Sequence, residues 1–402
     1  MNPNHDTDHR NIPTIGNERL PFDVLVQVFR YYQLNESPFT PVETLLLVCK
    51  AWNKAASDYP PIWSRYNINI DKKIVSELWL LRIPLRLSRS GLKTPLHIDI
   101  QIFLSKWYLA STWVISLLEI LAGENGALCA KWKSLRFCDY SQVCFSMENG
   151  EHALKAFTYP MPLLTSLKIF SVNMSAGVVI FPYLPSLTSV CIYNSEISNY
   201  PDMSHATRIE LSNVCYRGEI DELIRVPEVQ ELRLCSNIRS IRHPREYKNL
   251  QTLDLQMYRQ ISDLEEVSMP SLSTLYIEFE GIAAFRPVLK FPAIASIHTL
   301  YLKGVLPPEI DRKETYRITS HILRTSVCLR ELRVTKYVLS ILLEDWHAWE
   351  HLFKAESAIR VILMGIWSGE TKLILGEGDT NSILEKVASA CNLPIPNFSA
   401  LT

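Results

Sequence analysis

Residues 250–278, LQTLDLQMYRQISDLEEVSMPSLSTLYIE, contain one short phrase twice. Leu250, Leu253 and Leu255 are spaced apolar-x-x-apolar-x-apolar, and Leu272, Leu275 and Ile277 repeat that spacing 22 residues later. Within each copy the last apolar positions alternate with polar ones, which is the period of a strand with one buried face. Outward from this pair the phrase recurs at Leu164-Leu167-Ile169, Leu187-Val190-Ile192, Val229-Leu232-Leu234, Ile297-Leu300-Leu302 and Leu329-Leu332-Val334. Weaker copies sit at Leu135-Phe137 and Ile209-Leu211. The central positions 167, 190, 209, 232, 253, 275 and 300 step by 23, 19, 23, 21, 22 and 25 residues. A unit of this size cannot bury its apolar side alone, so its neighbours stack and share one continuous core.

Stacking fixes where a partner can bind. The leucines of each strand point into the shared core, and the alternate side chains point the other way, onto a broad concave sheet. The outward positions include Lys168, Tyr193, Glu210, Arg233, Asp254, Tyr276, Glu278, Tyr301, Lys303 and Arg333. Tyrosines mixed with both signs of charge match the composition of a protein-binding face, so these ten are the candidate target-binding residues.

Ahead of the repeats, residues 20–63 read LPFDVLVQVFRYYQLNESPFTPVETLLLVCKAWNKAASDYPPIW. A first helix is expected from Pro21, where a missing amide costs nothing, with Asp23 in its first turn. Val24, Leu25, Val28, Phe29 and Tyr32 then fall on one broad face. Thr40-Pro41-Val42-Glu43 has the form of a capping box opening a second helix through Leu45 to Cys49. Pro60-Pro61 ends the last helix and leaves Ile62 and Trp63 beyond it.

Leu20-Pro21, Leu25, Phe29, Leu45-Leu46, Val48-Cys49-Lys50, Trp52, Pro61 and Trp63 together resemble an F-box, with a longer loop than usual over Gln33 to Thr40. The repeats lie close to the spacing of leucine-rich repeats, about 20–29 residues, in a degenerate form with many convex loops. The joint at Arg89-Ser90-Gly91 followed by PLHIDI (95–100) is similar to the region after the F-box in fungal F-box proteins. The resemblance implies an α/β architecture: an N-terminal three-helix F-box, then an irregular leucine-rich-repeat solenoid with a curved parallel sheet. It implies docking to a Skp-type adaptor, and through it a cullin, by Leu20, Pro21, Val24, Leu25, Val28, Leu46, Val48, Cys49, Trp52, Ile62 and Trp63. The expected division is a disordered tail over 1–17, the F-box over 18–66, linker helices and a first repeat over 67–131, repeats over 132–337 and a capping unit over 338–402. In the linker, residues 75–89 read as a helix interrupted near Pro84, with Arg82, Arg86 and Arg89 on a solvated face.

The rest of the chain narrows the function. With 41 basic and 42 acidic residues in 402, the net charge of −1 gives no footprint for nucleic acid or a polybasic membrane contact. Nine cysteines without a C-x-x-C fit neither a zinc ribbon nor a disulfide framework, and free thiols fit a reducing compartment, the cytoplasm or nucleus. The polar first 17 residues predict no secretory leader, and the apolar run Trp107 to Ala122 is too short to span a membrane. The Asn-x-Ser triplets at 35, 173 and 397 are therefore read as chance.

Chemical motifs are sparse. His347 and His351, near Glu344, Asp345 and Glu350, lack the order of a zinc-protease motif. Gly376-Glu377-Gly378 reads as a turn before a helix capped by Thr380. Arg239, Arg242 and Arg245 read as a basic loop, with recognition of a phosphorylated segment the less favoured reading. No catalytic residue, metal site, cofactor or homo-oligomer is expected. A target receptor of a ubiquitin ligase is favoured, with an F-box scaffold lacking ubiquitin transfer and an enzyme with an unrecognised site as the alternatives.

Overall fold

The computed structural model describes residues 20–34, 42–71, 73–103, 107–140, 154–174, 179–197, 201–214, 226, 228–235, 246–257, 267–279, 292–304, 312–335, 338–339, 360–364 and 370–374. Its main feature is an open 13-stranded sheet. The strands are β1 (Arg65–Ile70), β2 (Leu96–Ile102), β3 (Trp132–Asp139), β4 (Ser166–Phe170), β6 (Ser189–Tyr193), β8 (Arg208–Ser212) and β9 (Glu231–Cys235). They continue as β10 (Thr252–Met257), β11 (Thr274–Phe279), β12 (Thr299–Gly304), β13 (Glu331–Thr335), β14 (Arg360–Met364) and β15 (Glu370–Ile374). The short strands β5 (Asn173–Met174) and β7 (Glu196–Ile197) form a separate parallel pair. Every neighbour in the main sheet is parallel until β15, which returns antiparallel to β14.

Two columns of apolar side chains run in register across this sheet. Tyr66, Ile98, Leu135, Leu167, Val190, Ile209, Leu232, Leu253, Leu275, Leu300 and Leu332 are successive partners, all buried. The second column, two residues further along each strand, runs from Ile68 through Ile192 to Val334. The repeat read from leucine spacing is thus a physical register, and the fold is the α/β leucine-rich-repeat-like solenoid expected. The sheet nevertheless starts at Arg65, two strands before the first copy of the phrase, because β1 and β2 use isoleucine and tyrosine in its place.

A turn before most strands supplies a fourth buried position, ahead of the three in the leucine spacing. Leu164 N donates to Met161 O (3.0 Å), Leu187 N to Leu184 O (3.1 Å) and Leu272 N to Met269 O (3.2 Å), with both ends of each turn buried. Pro162, Pro185 and Pro270 hold the second place of these turns, where their fixed φ suits the geometry. One carbonyl per repeat then accepts two amides of the next, as Gln251 O does from Ser273 N and Thr274 N, both at 3.0 Å. Backbone groups that would be orphaned inside a solenoid are satisfied in this way.

Two helices pack on the inward face near the start. Helix α3 (Lys73–Ser90) follows β1, and α4 (Trp107–Ala122) follows β2 and buries Val114, Leu117, Leu118 and Leu121 as its apolar run predicts. Near the far end α5 (Arg312–Thr325) buries Ile322 and Leu323. Helix α3 corrects two expectations. It runs unbroken through Pro84, since Val75, Trp79 and Ile83 anchor it to the core before the proline and Arg86 and Leu87 are packed down after it. Its arginines are no solvated face: Arg86 is completely buried, and Arg89 lies over the Trp63 ring at 4.7 Å.

The N-terminal module consists of α1 (Phe22–Leu34), a 3-10 turn (Val42–Leu47), α2 (Lys50–Ser57) and a second 3-10 turn (Pro60–Trp63). Its core of Leu25, Phe29, Val42, Leu45, Ala55, Ala56, Ile62 and Trp63 is separate from that of the sheet. Helix α1 begins one residue late, with Pro21 O accepting Val24 N and Leu25 N at 3.0 and 3.1 Å. The second helix expected from Thr40 is also corrected, since residues 35–41 lie outside the described ones and 42–47 form a 3-10 turn. Cys49 instead caps α2: its backbone is extended and its Sγ accepts Trp52 N at 3.5 Å.

Several expectations fall outside the described residues: the tail 1–17, Arg239, Arg242 and Arg245, Glu344 to His351, and everything from Gly376 onward.

Candidate functional site

Helix α1 carries more apolar side chains than its own core accepts. Leu25, Val26 and Phe29 turn inward, whereas Phe22 and Val24 stay exposed, as does Leu20 just before the helix. Leu47 and Val48, at the end of the 3-10 turn, are also exposed, Leu47 at 83 %. The residues expected to meet an adaptor therefore divide. Leu20, Pro21, Val24 and Val48 are exposed, and Val28, Leu46, Cys49 and Trp52 are half-buried. Leu25, Ile62 and Trp63 are closed into the module, where Trp63 Nε1 donates to Ala56 O at 2.7 Å. Phe22 and Leu47 were absent from the expected set, although the apolar residues along α1 were a signal for the first and the apolar run Leu45 to Cys49 for the second.

The module is clamped to the sheet by an ion pair between a fully buried arginine and a partly buried glutamate. Arg86 Nε and Nη2 donate to the two carboxylate oxygens of Glu43 at 2.7 and 2.8 Å, the bidentate form in which guanidinium and carboxylate fit best. Arg86 Nη1 also reaches Arg65 O at 3.3 Å, and the guanidinium lies over the Trp79 ring at 4.9 Å. Burial pushes the Glu43 carboxyl up, but the bonds and charge of Arg86 outweigh it and hold the group below its ordinary value. Glu43 was read from its spacing as part of a capping box. Its partner is 43 residues away, which no local pattern reveals.

All ten candidate target-binding residues lie on one face of the sheet. Lys168, Glu210, Arg233, Asp254, Tyr276, Tyr301 and Arg333 are in one register row, with Cys191 between Lys168 and Glu210. Tyr193, Glu278 and Lys303 belong to the adjacent row. The middle of the face is an ionic network. Arg233 bridges Glu210 and Asp254 at 2.6 Å each, Tyr193 Oη donates to Glu210, and Lys303 pairs with Glu278 at 2.6 Å. Glu210 and Asp254 are outward-facing yet largely covered, contrary to a freely solvated row, because Arg233 and Tyr193 lie across them. Burial pushes the Asp254 carboxyl up to about 6, with Arg233 opposing the shift and Glu210 and Glu278 adding to it. Burial acts on Glu210 in the same sense, but bonds from Tyr193 and Arg233 bring it below its usual value.

Aromatic side chains flank the network. Tyr276 and Tyr301 stack with centroids 3.7 Å apart, and Arg333 lies 4.7 Å over Tyr301. On the other side Phe170 stacks on Tyr193 at 5.0 Å, and Arg136 lies 5.4 Å over Phe170. Further toward β1 the exposed pair Phe103 and Tyr140 stacks at 4.7 Å. Arg136, Phe103 and Tyr140 escaped the sequence reading because the first strands do not carry the leucine phrase clearly.

Among the described residues no group of three or more His, Cys, Asp or Glu side chains is placed to hold a metal ion. The described cysteines, Cys49, Cys129, Cys138, Cys191, Cys235 and Cys328, are free thiols. No described helix is long and apolar enough to cross a membrane.

An apolar helical module and a repeat sheet together give the chain a modular build. Residues 17–69 match the family model described as F-box-like, a span that covers the whole N-terminal module and most of β1. The chain thus carries an F-box-like domain at residues 17–69. No curated protein matches it.

Proposed function

We propose that this chain is the substrate-recognition subunit of a Skp-cullin-F-box ubiquitin ligase. The observation that carries the reading is that the F-box-like module completes a core of its own and still presents apolar side chains to solvent. Contiguous exposed apolar surface on a folded module fits a protein interface. In this reading Leu20, Pro21, Val24 and Val48 meet the adaptor directly, joined by Phe22 and Leu47. Val28, Leu46, Cys49 and Trp52 form the margin, and Leu25, Ile62 and Trp63 support the surface from within. The concave face, through its tyrosines and charged rows, holds the target protein.

Catalysis in such a complex needs no reacting group from this chain. Holding the target near a ubiquitin-charged enzyme raises the effective concentration of its lysines and restricts their orientation. The Glu43–Arg86 clamp serves that purpose, because a target on the sheet keeps a fixed direction relative to the adaptor. The complex would work in the cytoplasm or nucleus.

Replacing Leu20→Ala together with Pro21→Ala should abolish co-purification with the Skp-type adaptor and leave the unfolding transition of the sheet unchanged. Undiminished adaptor binding would remove the assigned docking surface. In a reconstituted complex ubiquitin should pass to a protein held on the sheet; adaptor binding without any transfer would reduce the chain to a scaffold.

A further inference from the structure

We infer that the target segment held on the concave face carries a lysine or arginine side chain, seated over the middle of the sheet where Glu210, Asp254 and Glu278 converge. This rests on the reading of that face as the target surface. Charge on the face is unevenly distributed. Arg233 is one guanidinium shared by two carboxylates, Glu210 and Asp254, at 2.6 Å each, and the next cation, Lys303, is held by Glu278 at 2.6 Å. Arg208 and Glu231 pair with each other at 3.3 Å on the row nearer the strand starts. Among the described residues three carboxylates therefore share two cations there, an excess of one negative charge in the middle of the face.

That excess sits where water screens it poorly. The side chains of Asp254 and Glu210 are only 8 % and 11 % exposed, so a cation arriving from a partner gains more there than on open surface. Burial is the main cause of the raised Asp254 carboxyl, and the neighbouring charges of Glu210 and Glu278 add to it while Arg233 opposes it. Beside it the stacked Tyr276 and Tyr301 offer ring faces to a cation, a use that Arg333 already makes of Tyr301. Toward one edge the sign reverses, since Arg136 and Lys168 stand beside one carboxylate, that of Asp99, whereas at the other Arg333 is balanced by Glu331. A run of basic residues would meet repulsion at the first of these edges, so the complementary segment has an isolated basic side chain rather than a polybasic stretch.

The test uses the full chain bound to its adaptor and an array of peptides about twelve residues long, the length of extended chain that spans most of the sheet. Each peptide is made with lysine, arginine, glutamine or glutamate at its centre. Lysine and arginine peptides should bind about tenfold more tightly than their glutamine parents. Glu278→Gln should shrink that ratio. The pair Glu210→Gln with Asp254→Asn, which leaves Arg233 unopposed, should turn the preference toward glutamate. Should that pair fail to fold, Glu278→Gln alone decides, since its side chain is 22 % exposed and its loss leaves the core intact. Binding without regard to charge, a preference of the unaltered chain for acidic peptides, or no peptide binding by a complex that still holds the adaptor would each overturn the inference. Charge-selective binding that ignores every concave-face substitution would instead place the target elsewhere and overturn the wider reading with it.

Discussion

Two carboxylates illustrate how the same residue type is used in opposite senses. Glu43 has a folded pKa below its ordinary 4.5, so its contribution to stability is fully present above the unfolded value and is lost as pH falls through the folded one. Removing it leaves Arg86 buried without its counter-charge. Glu43→Ala should therefore cost about 3–5 kcal/mol in a urea titration, whereas the double change Glu43→Leu with Arg86→Met should recover most of that loss. Asp254 has the reverse sign. Its folded pKa of about 6 lies above the ordinary 3.8, so the folded state takes up a proton first, and stability from this site grows as pH falls through 6 toward 3.8. Calorimetry from neutral to mildly acid pH should show the unaltered chain gaining on Asp254→Asn, and parallel curves would contradict the assignment. The direction in which Asp254 points was legible, because side chains alternate along a strand. Its depth was not, because that depends on Arg233, which reaches across from the neighbouring strand.

Among the elements, α3 departs furthest from its sequence pattern. A proline in the middle of a helix removes a hydrogen bond and crowds the preceding turn, at a cost of about 3 kcal/mol. The helix persists because Trp79, Ile83 and Arg86 are buried on either side of Pro84. Local propensity was overridden by packing with distant residues, which the linear pattern around 75–89 does not contain. Pro84 itself is exposed, so Pro84→Ala removes no packing and restores a donor to the Leu80 carbonyl. The midpoint of denaturant unfolding should rise by an amount equivalent to about 1–3 kcal/mol. A fall would mean that the helix is shaped around the proline. The strands behaved differently: their apolar period matched the observed register from Leu135 onward because in a solenoid each strand meets only its neighbours, so local spacing carries the architecture. Where isoleucine and tyrosine replace leucine, in β1 and β2, the same physics acts and the pattern is harder to see.

At the scale of the whole molecule, the F-box-like module is also the closing unit of the sheet's first edge. A terminal repeat exposes an apolar side unless something covers it, and here α3 and the Pro60–Trp63 turn stand at β1, with Arg86 bonded to Glu43 on one side and to Arg65 O on the other. At the opposite edge the antiparallel strand β15 has the corresponding place. The two separate cores are consequently joined by a polar clamp rather than by continuous apolar packing. Energy added to the module should therefore reach the sheet through that clamp. An adaptor present at about a hundred times its Kd adds about 2.7 kcal/mol to whatever unfolds together with its binding site. Amide hydrogen exchange with and without adaptor separates the possibilities. Protection should rise in α1 and α2, and also in β1 and α3, which touch no adaptor surface. In Glu43→Leu with Arg86→Met the rise should be confined to α1 and α2 even though the adaptor still binds. Equal protection of β1 in both proteins would show that the clamp transmits nothing and that the module and sheet are coupled by other contacts.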